Sequence, residues 1–195
     1  MYNLKKDICI IGASCSFGKH ICNKLQDYNL YTTNSQSLDV TQEDKVKNYF
    51  QKIGPIHGLV YCPALKSNAD SFAPPEELKK LLGVNLFGAI YCLQSAIMME
   101  NSKILVVGST AGTFGNPNNC MYSVSKAALH QFVRCHSSQL KGSKIQILCL
   151  APGTIKTEED KDNIAEFIKS FMDDKIKNIH GQIIRMDGGH HSFPA

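Results

Sequence analysis

Short apolar runs bounded by glycine, proline and small polar residues alternate along the chain with stretches in which apolar residues return every three or four positions. The short runs are Ile8 to Ile11, Leu30 to Thr33, Gly58 to Tyr61, Ile104 to Val107, Ile145 to Leu150 and Ile183 to Met186. Near-continuous apolar character over so few residues is what a strand buried on both faces requires. A weaker candidate strand lies at Ser37 to Val40. Between the runs, Phe17, Ile21, Leu25 and Tyr28 recur at helical spacing, as do Leu129, Val133, His136 and Leu140, and later Ile164, Phe167, Ile168 and Phe171. Pro74 and Pro75 read as a loop feeding a helix, with Pro75 near its first turn. Strand, helix, strand from the first residues onward predicts an α/β fold, a doubly wound parallel sheet with helices on both faces.

Size narrows this to one unit. The chain has 195 residues, 43% hydrophobic and 19% charged, enough for one buried core and too few for two ordinary domains, so a single domain over 1–195 is expected. The net charge of +4 comes from scattered lysines without aromatic interleaving, which argues against a nucleic-acid surface. The eight cysteines sit singly, with no CxxC pair, so reduced core thiols are expected and no metal site. The first apolar run is too short for a secretory core and no stretch is long enough to span a bilayer, so no membrane partner is expected and the cytoplasm is the default.

The segment Gly12-Ala13-Ser14-Cys15-Ser16-Phe17-Gly18 follows the first predicted strand and opens the first helix. There, small residues and helix N-terminal N–H groups can receive a pyrophosphate. Taken alone, it also reads as an ordinary strand-to-helix turn.

Tyr122 and Lys126 are four apart in Tyr122-Ser123-Val124-Ser125-Lys126-Ala127-Ala128 and share one helical face. Tyr2 and Lys6 have the same spacing by chance. What distinguishes the later pair is Ser109, just beyond the strand Ile104 to Val107, because an open α/β sheet places its site at the carboxyl ends of strands. A phenol of pKa near 10 brought to about 7 needs roughly 4 kcal/mol of preference for phenolate, and the neighbouring Lys126 ammonium is expected to supply much of it. Ser109 would hydrogen-bond the same substrate oxygen that exchanges a proton with Tyr122.

With these residues in place, the sequence resembles the short-chain dehydrogenase/reductase family over essentially its whole length. The resemblance implies a Rossmann fold that binds a nicotinamide cofactor. It places the catalytic serine, tyrosine and lysine on Ser109, Tyr122 and Lys126, and a water-holding asparagine that relays protons towards Lys126 on Asn85. It implies cofactor contacts at Gly12, Ser14, Ser16, Phe17 and Gly18, at Asp39 and Val40 beside the adenine, and at Cys62, Pro63 and Ala64. Tyr122 and Lys126, then Pro152, Gly153, Ile155 and Thr157, would meet the nicotinamide half. Gly181-Gln182 and Asp187-Gly188-Gly189 match the closing strand of the oxoacyl-reductase-like branch. From the residues themselves, Asp39 also reads as a helix cap and Asn85 as a helix residue satisfied by backbone.

Departures from the family pattern sharpen the expectation. Ser16 replaces the second glycine, and Tyr61-Cys62-Pro63-Ala64 replaces Asn-Asn-Ala-Gly, which removes two amides and one backbone donor. Tyr31 to Gln36 carries no acid for a ribose 2′-hydroxyl and no arginine for a 2′-phosphate, so NADP(H) is favoured over NAD(H), with Thr33, Asn34 and Ser35 as donors. Only Glu158 to Asp162 precede the next core helix after Thr157, so the substrate lid is shortened. The substrate is then expected to be bulky, carrier-borne, or covered by a neighbouring subunit. The resemblance further implies a homotetramer or homodimer paired through the helices of Asn85 and Tyr122. His190 and His191 read as a frayed or interface-packed tail. The rival readings are a dinucleotide-binding sensor without useful catalysis and, behind it, an isomerase or dehydratase.

Overall fold

The computed structural model describes residues 5–14, 16–66 and 74–189, the Ser16 side chain excepted; His190 and His191 lie outside them. Six strands run β1 Asp7–Ile11, β2 Asn29–Thr32, β3 Ile56–Tyr61, β4 Met98–Val107, β5 Gln146–Pro152 and β6 Ile183–Met186. The α-helices are α1 Ser16–Lys24, α2 Glu43–Ile53, α3 Pro75–Leu82, α4 Gly88–Ser95, α5 Ala111–Phe114, α6 Cys120–Gln139 and α7 Glu158–Met172. A π-helical turn, Gly83–Phe87, joins α3 to α4, and a 3₁₀ turn, Pro117–Asn119, leads into α6.

All strand pairs are parallel, in the order β2-β1-β3-β4-β5-β6. The order reverses at β1, because β2 lies on one side of it and β3 on the other, and an open α/β sheet forms its crevice at such a switch. Alternate residues feed two cores. Ile8, Ile10, Val60, Leu105 and Leu148 pack with Phe17, Ile21, Ile164 and Phe171 of α1 and α7. Cys9, Ile11, Leu59, Val106 and Ile147 pack with Val46, Phe50, Ala89, Leu129 and Val133 of α2, α4 and α6. Burial on both faces is why the strands read as unbroken apolar runs.

Two differences from the expected elements have local causes. Ser37 to Val40 is not a strand: the Asn34 Oδ1 accepts the N–H groups of Gln36 and Ser37 at 2.9 Å each, turning the chain immediately after β2. Leu38 and Val40 are buried while Asp39 is half-exposed, so the alternation that resembled a strand is a loop pressed onto the core. Conversely, β4 begins at Met98, ahead of the apolar run. Its register against β3 slips between Met98 and Lys103, where Asn101 takes φ 61 and the polar segment bulges.

Thr157 caps α7: its hydroxyl accepts the Asp160 N–H, and the Asp160 carboxylate accepts the Thr157 N–H at 2.9 Å. The helix follows β5 after five residues, which the chain numbering of the two elements gives directly, and packs Ile164, Ile168 and Phe171 onto the sheet. It is the crossover helix between β5 and β6. Among the described residues Cys9, Cys22, Cys62, Cys92, Cys120, Cys135 and Cys149 are free thiols, no acid, histidine and cysteine cluster could hold a metal ion, and no helix is long and apolar enough to cross a membrane.

Candidate functional site

A cleft of about 900 Å³ runs along the carboxyl edge of the sheet, within the range of a small-molecule or cofactor site. Its floor is built where strands end and chain turns away: Gly12 after β1, Cys62 and Pro63 after β3, Ser109 after β4, Pro152 at the end of β5. Gly12 has φ +83, and a Cβ there would lie 3.0 Å from the Pro63 nitrogen, so this position needs glycine both for conformation and for space.

At the β1 end, Gly12, Ser14, Phe17, Thr33, Asn34, Asp39 and Val40 line the wall. The N–H groups of Gly12 and Ala13 both donate to the Thr33 carbonyl, at 3.1 and 2.8 Å, which ties the glycine turn to the end of β2. Gly18 does not line the cleft. A Cβ there would meet the Gly12 carbonyl at 2.6 Å and the Ala13 Cα at 2.8 Å, so its part is to let α1 close onto the turn. The Thr33 hydroxyl is buried without a hydrogen-bond partner among the described residues. A buried, unpaired hydroxyl on a cleft wall fits a ligand oxygen, and here it fits the adenosine end of a dinucleotide.

Asp39 also lines the cleft, but its carboxylate is committed. One oxygen accepts the N–H and hydroxyl of Thr41 at 3.0 and 2.7 Å, the other the Gln42 amide at 2.8 Å, and the Thr41 bonds hold its carboxyl below the usual range. Cys62, Pro63 and Ala64 lie opposite, and Pro152, Gly153 and Ile155 close the far end. Gly153 is pressed against Asp187, whose Cβ would sit 2.7 Å from an added Cβ. Thr157 stays at the α7 cap, away from the cleft wall.

Tyr122, Lys126 and Ser109 meet at the centre. The Ser109 Oγ accepts the Ala111 N–H at 3.2 Å, and the serine lies beside the Tyr122 phenol on the cleft wall. Lys126 is fully buried, and its Nζ donates to the Val107 carbonyl at 2.9 Å while lying 5.8 Å from the Tyr122 ring centre. Burial holds the ammonium down at about 8, from an ordinary 10.5. The expectation that Lys126 pulls the phenol down needs correction: burial pushes Tyr122 above its ordinary 10.0, and the neighbouring Ser109 hydroxyl draws it part of the way back. Burial favours the neutral phenol, and the ammonium donates to the Val107 carbonyl beside the ring.

Asn85 sits on the π-helical turn, fully buried. Its Oδ1 accepts the Leu65 N–H at 2.7 Å, and its Nδ2 donates to the Leu65 carbonyl at 2.9 Å and to the Ser125 Oγ at 3.0 Å. Both N–H groups are therefore taken by protein, and the side chain clamps the loop after β3 to α6. The π-turn is braced from below by the Tyr61 hydroxyl, which donates to the Val84 carbonyl at 2.5 Å. Gly88 makes room, because a Cβ there would fall 2.6 Å from that hydroxyl. Sequence reasoning treated Tyr61 only as a missing amide and overlooked this substitute.

It also overlooked Lys66, whose ammonium stands 6.0 Å from the Tyr122 ring centre at the cleft mouth, and the Asn116 to Asn119 turn on the opposite rim. His130, buried one helical turn beyond Lys126, was passed over as well. The signal for it was its spacing of four from Lys126 on the same helix face.

The short chain dehydrogenase family model matches residues 29–166. A 3-oxoacyl-[acyl-carrier-protein] reductase from Bos taurus is 31% identical over 142 residues, covering 68% of this chain and 60% of that protein. The match therefore spans about 60% of that curated relative's length. Among solved structures, a short chain dehydrogenase family protein from Francisella tularensis superposes with a TM-score of 0.87 at 19% identity, covering 97% of this chain and 100% of that one. A 3-ketoacyl-(acyl-carrier-protein) reductase from Brucella melitensis, complexed with NADH, gives 0.85 at 18% identity over 95% of this chain and 98% of its own. The family match reaches from β2 through the tyrosine helix into α7, and the chain belongs to the short chain dehydrogenase family.

Proposed function

We propose that residues 1–195 form one dinucleotide-binding oxidoreductase unit that moves a hydride between a nicotinamide cofactor and a carbonyl or alcohol. The observation that carries this is the meeting of Ser109, Tyr122 and Lys126 on one wall of the cleft, with the serine beside the phenol and Lys126 one turn along α6. A phenol held above its ordinary pKa is protonated at neutral pH, which suits it to act as the acid of carbonyl reduction. The bound dinucleotide supplies the hydride that reaches the carbonyl carbon. Tyr122 gives its proton to the substrate oxygen, the carbon–oxygen π bond becomes an O–H bond, and Ser109 donates a hydrogen bond to that oxygen as negative charge develops. Lys126 supports the phenolate left behind, and Asn85, the proton-relay residue that the resemblance implies, also holds the loop after β3 through Leu65.

NADP(H) is favoured over NAD(H). Tyr31 to Gln36 carries no carboxylate, Asp39 is committed to Thr41 and Gln42, and the Thr33 hydroxyl is unpaired. The short connection after Thr157 leaves the substrate end open, which suits a carrier-borne carbonyl, the class named in the bovine relative. Phe87 and Val124, 45% and 48% exposed on the elements of Asn85 and Tyr122, suit pairing of copies as a homodimer or homotetramer. Free thiols throughout the core suit the reducing cytoplasm.

The test is titration of NADPH and NADH by fluorescence, followed by assays of ketones and oxoacyl thioesters with the wild type and Tyr122→Phe. Tighter NADPH binding that survives in the variant while reduction disappears is the expected outcome. Cofactor binding with no turnover of any carbonyl would replace this reading with that of a dinucleotide sensor.

A further inference from the structure

We propose that His130 is a positioning residue that fixes the height and orientation of the Ser109 turn. The inference rests on the reading of Ser109 as the donor to the substrate oxygen. Tyr122, Lys126 and His130 follow one another at intervals of four on α6, so all three present to the same face. His130 is 2% exposed, and its Nε2 accepts the Ser109 backbone N–H at 3.5 Å. One helix therefore meets Ser109 twice, with Tyr122 beside its hydroxyl and His130 bonded to its N–H.

The chain around Ser109 is cut to admit the imidazole. A Cβ at Gly108 would lie 2.4 Å from Nε2 and 2.7 Å from the Cys149 Sγ, and a Cβ at Gly112 would lie 2.7 Å from the Lys126 carbonyl carbon of α6 as well as 2.9 Å from the ring Cε1. Both glycines flank the serine turn, and the ring fills the space between them. Burial, with Lys126 and Arg134 adding like charge, holds His130 down at about 4. It is thus neutral at physiological pH, with Nε2 as acceptor and Nδ1 carrying the proton. A protonated ring could not accept the amide, so neutrality is part of the design. The same helix that carries the proton donor thereby sets the distance to the second group on the substrate oxygen, where a displacement of about 1 Å can cost about 100-fold in rate.

The experiment compares wild type, His130→Leu and His130→Gln by amide hydrogen exchange at Ser109, by NADPH titration, and by kcat and KM for a carbonyl that the wild type reduces. Leucine fills the space without an acceptor, whereas the glutamine Oε1 reaches where Nε2 stood. Expected for leucine are exchange at the Ser109 amide faster by about tenfold, kcat lower by about 10- to 100-fold, and NADPH affinity within about twofold of wild type. Glutamine should recover most of both losses. Should the leucine variant fail to fold, His130→Asn, polar but too short to reach the amide, gives the same contrast with glutamine. Unchanged exchange at Ser109, or leucine and glutamine variants alike in exchange and kcat, would overturn the proposal. If His130 governs the exchange but no carbonyl is turned over by the wild type, the oxidoreductase reading falls while the link from His130 to Ser109 stands.

Discussion

Replacing Tyr61 by phenylalanine isolates the brace beneath the π-helical turn. The Tyr61 ring is fully buried and its hydroxyl donates to the Val84 carbonyl at 2.5 Å, so the variant removes one oxygen and leaves that carbonyl without its donor. The volume lost is that of a single oxygen, which makes cavity costs minor. An orphaned buried carbonyl costs about 1–3 kcal/mol, and because Val84 is only half-buried, about 1–2 kcal/mol is expected. Tyr49→Phe is the internal control: that hydroxyl is half-buried and faces the Cys9 sulfur at 3.8 Å, so its loss should cost about 0.5 kcal/mol or less. Burial pushes both phenols up, so urea unfolding between pH 7 and 8 compares neutral hydroxyls in both proteins. Because Asn85 lies one residue beyond Val84 and holds both backbone groups of Leu65, Tyr61→Phe should also lower kcat or cofactor affinity severalfold, whereas Tyr49→Phe should not. Equal costs for the two variants, or a Tyr61→Phe protein as stable and active as wild type, would refute the reasoning.

Gly18→Ala drives a Cβ to 2.6 Å from the Gly12 carbonyl and should raise the NADPH Kd by about tenfold or more, measured by fluorescence titration. Thr33→Val removes a buried hydroxyl that has no partner among the described residues, so stability should be unchanged or up by about 1 kcal/mol while NADPH binding weakens. A loss of stability in urea would show that the hydroxyl serves the fold. His130 titrates at about 4 when folded against 6.5 ordinarily, so the unfolded chain takes up its proton first as pH falls. The associated stability is present above pH 6.5 and lost as pH falls towards 4, about 3 kcal/mol in all, and between pH 7 and 4 His130→Gln should lose about that much less than wild type in urea titrations.

Much of the fold was legible because a parallel sheet covered on both faces leaves a plain trace: Ile8 to Ile11 and Ile104 to Val107 are apolar without alternation because α1 and α7 take one face and α2, α4 and α6 the other. The trace fails where burial and hydrogen bonding part company. Leu38 and Val40 are buried as a strand's residues would be, yet Asn34 and Asp39 occupy the nearby N–H groups and hold a turn. Glu100 to Ser102 is polar, yet belongs to a strand because neighbouring chain pairs on either side of the bulge. Hydropathy reports which side chains leave water, not which backbone groups find partners.

The site divides along the same line. Ser109, Tyr122 and Lys126 were readable because the proposed chemistry restricts what each position can be. The groups that hold them were not, because many side chains can serve as a prop. The loop after β3 lacks the family's two amides, and the turn that carries Asn85 is braced instead by Tyr61, which reaches across to Val84 while Gly88 yields the space. The serine turn is likewise held by a histidine with a glycine on either side of it. In both places the prop and the glycine that admits it lie far apart in sequence and meet only in the fold: Tyr61 with Gly88, His130 with Gly108 and Gly112. A substitution at Gly88 or Gly108 should therefore act first through its partner, and shrinking that partner should relieve part of it, whereas at Gly112 the α6 backbone at Lys126 lies nearer than the imidazole and no side-chain change would relieve the clash.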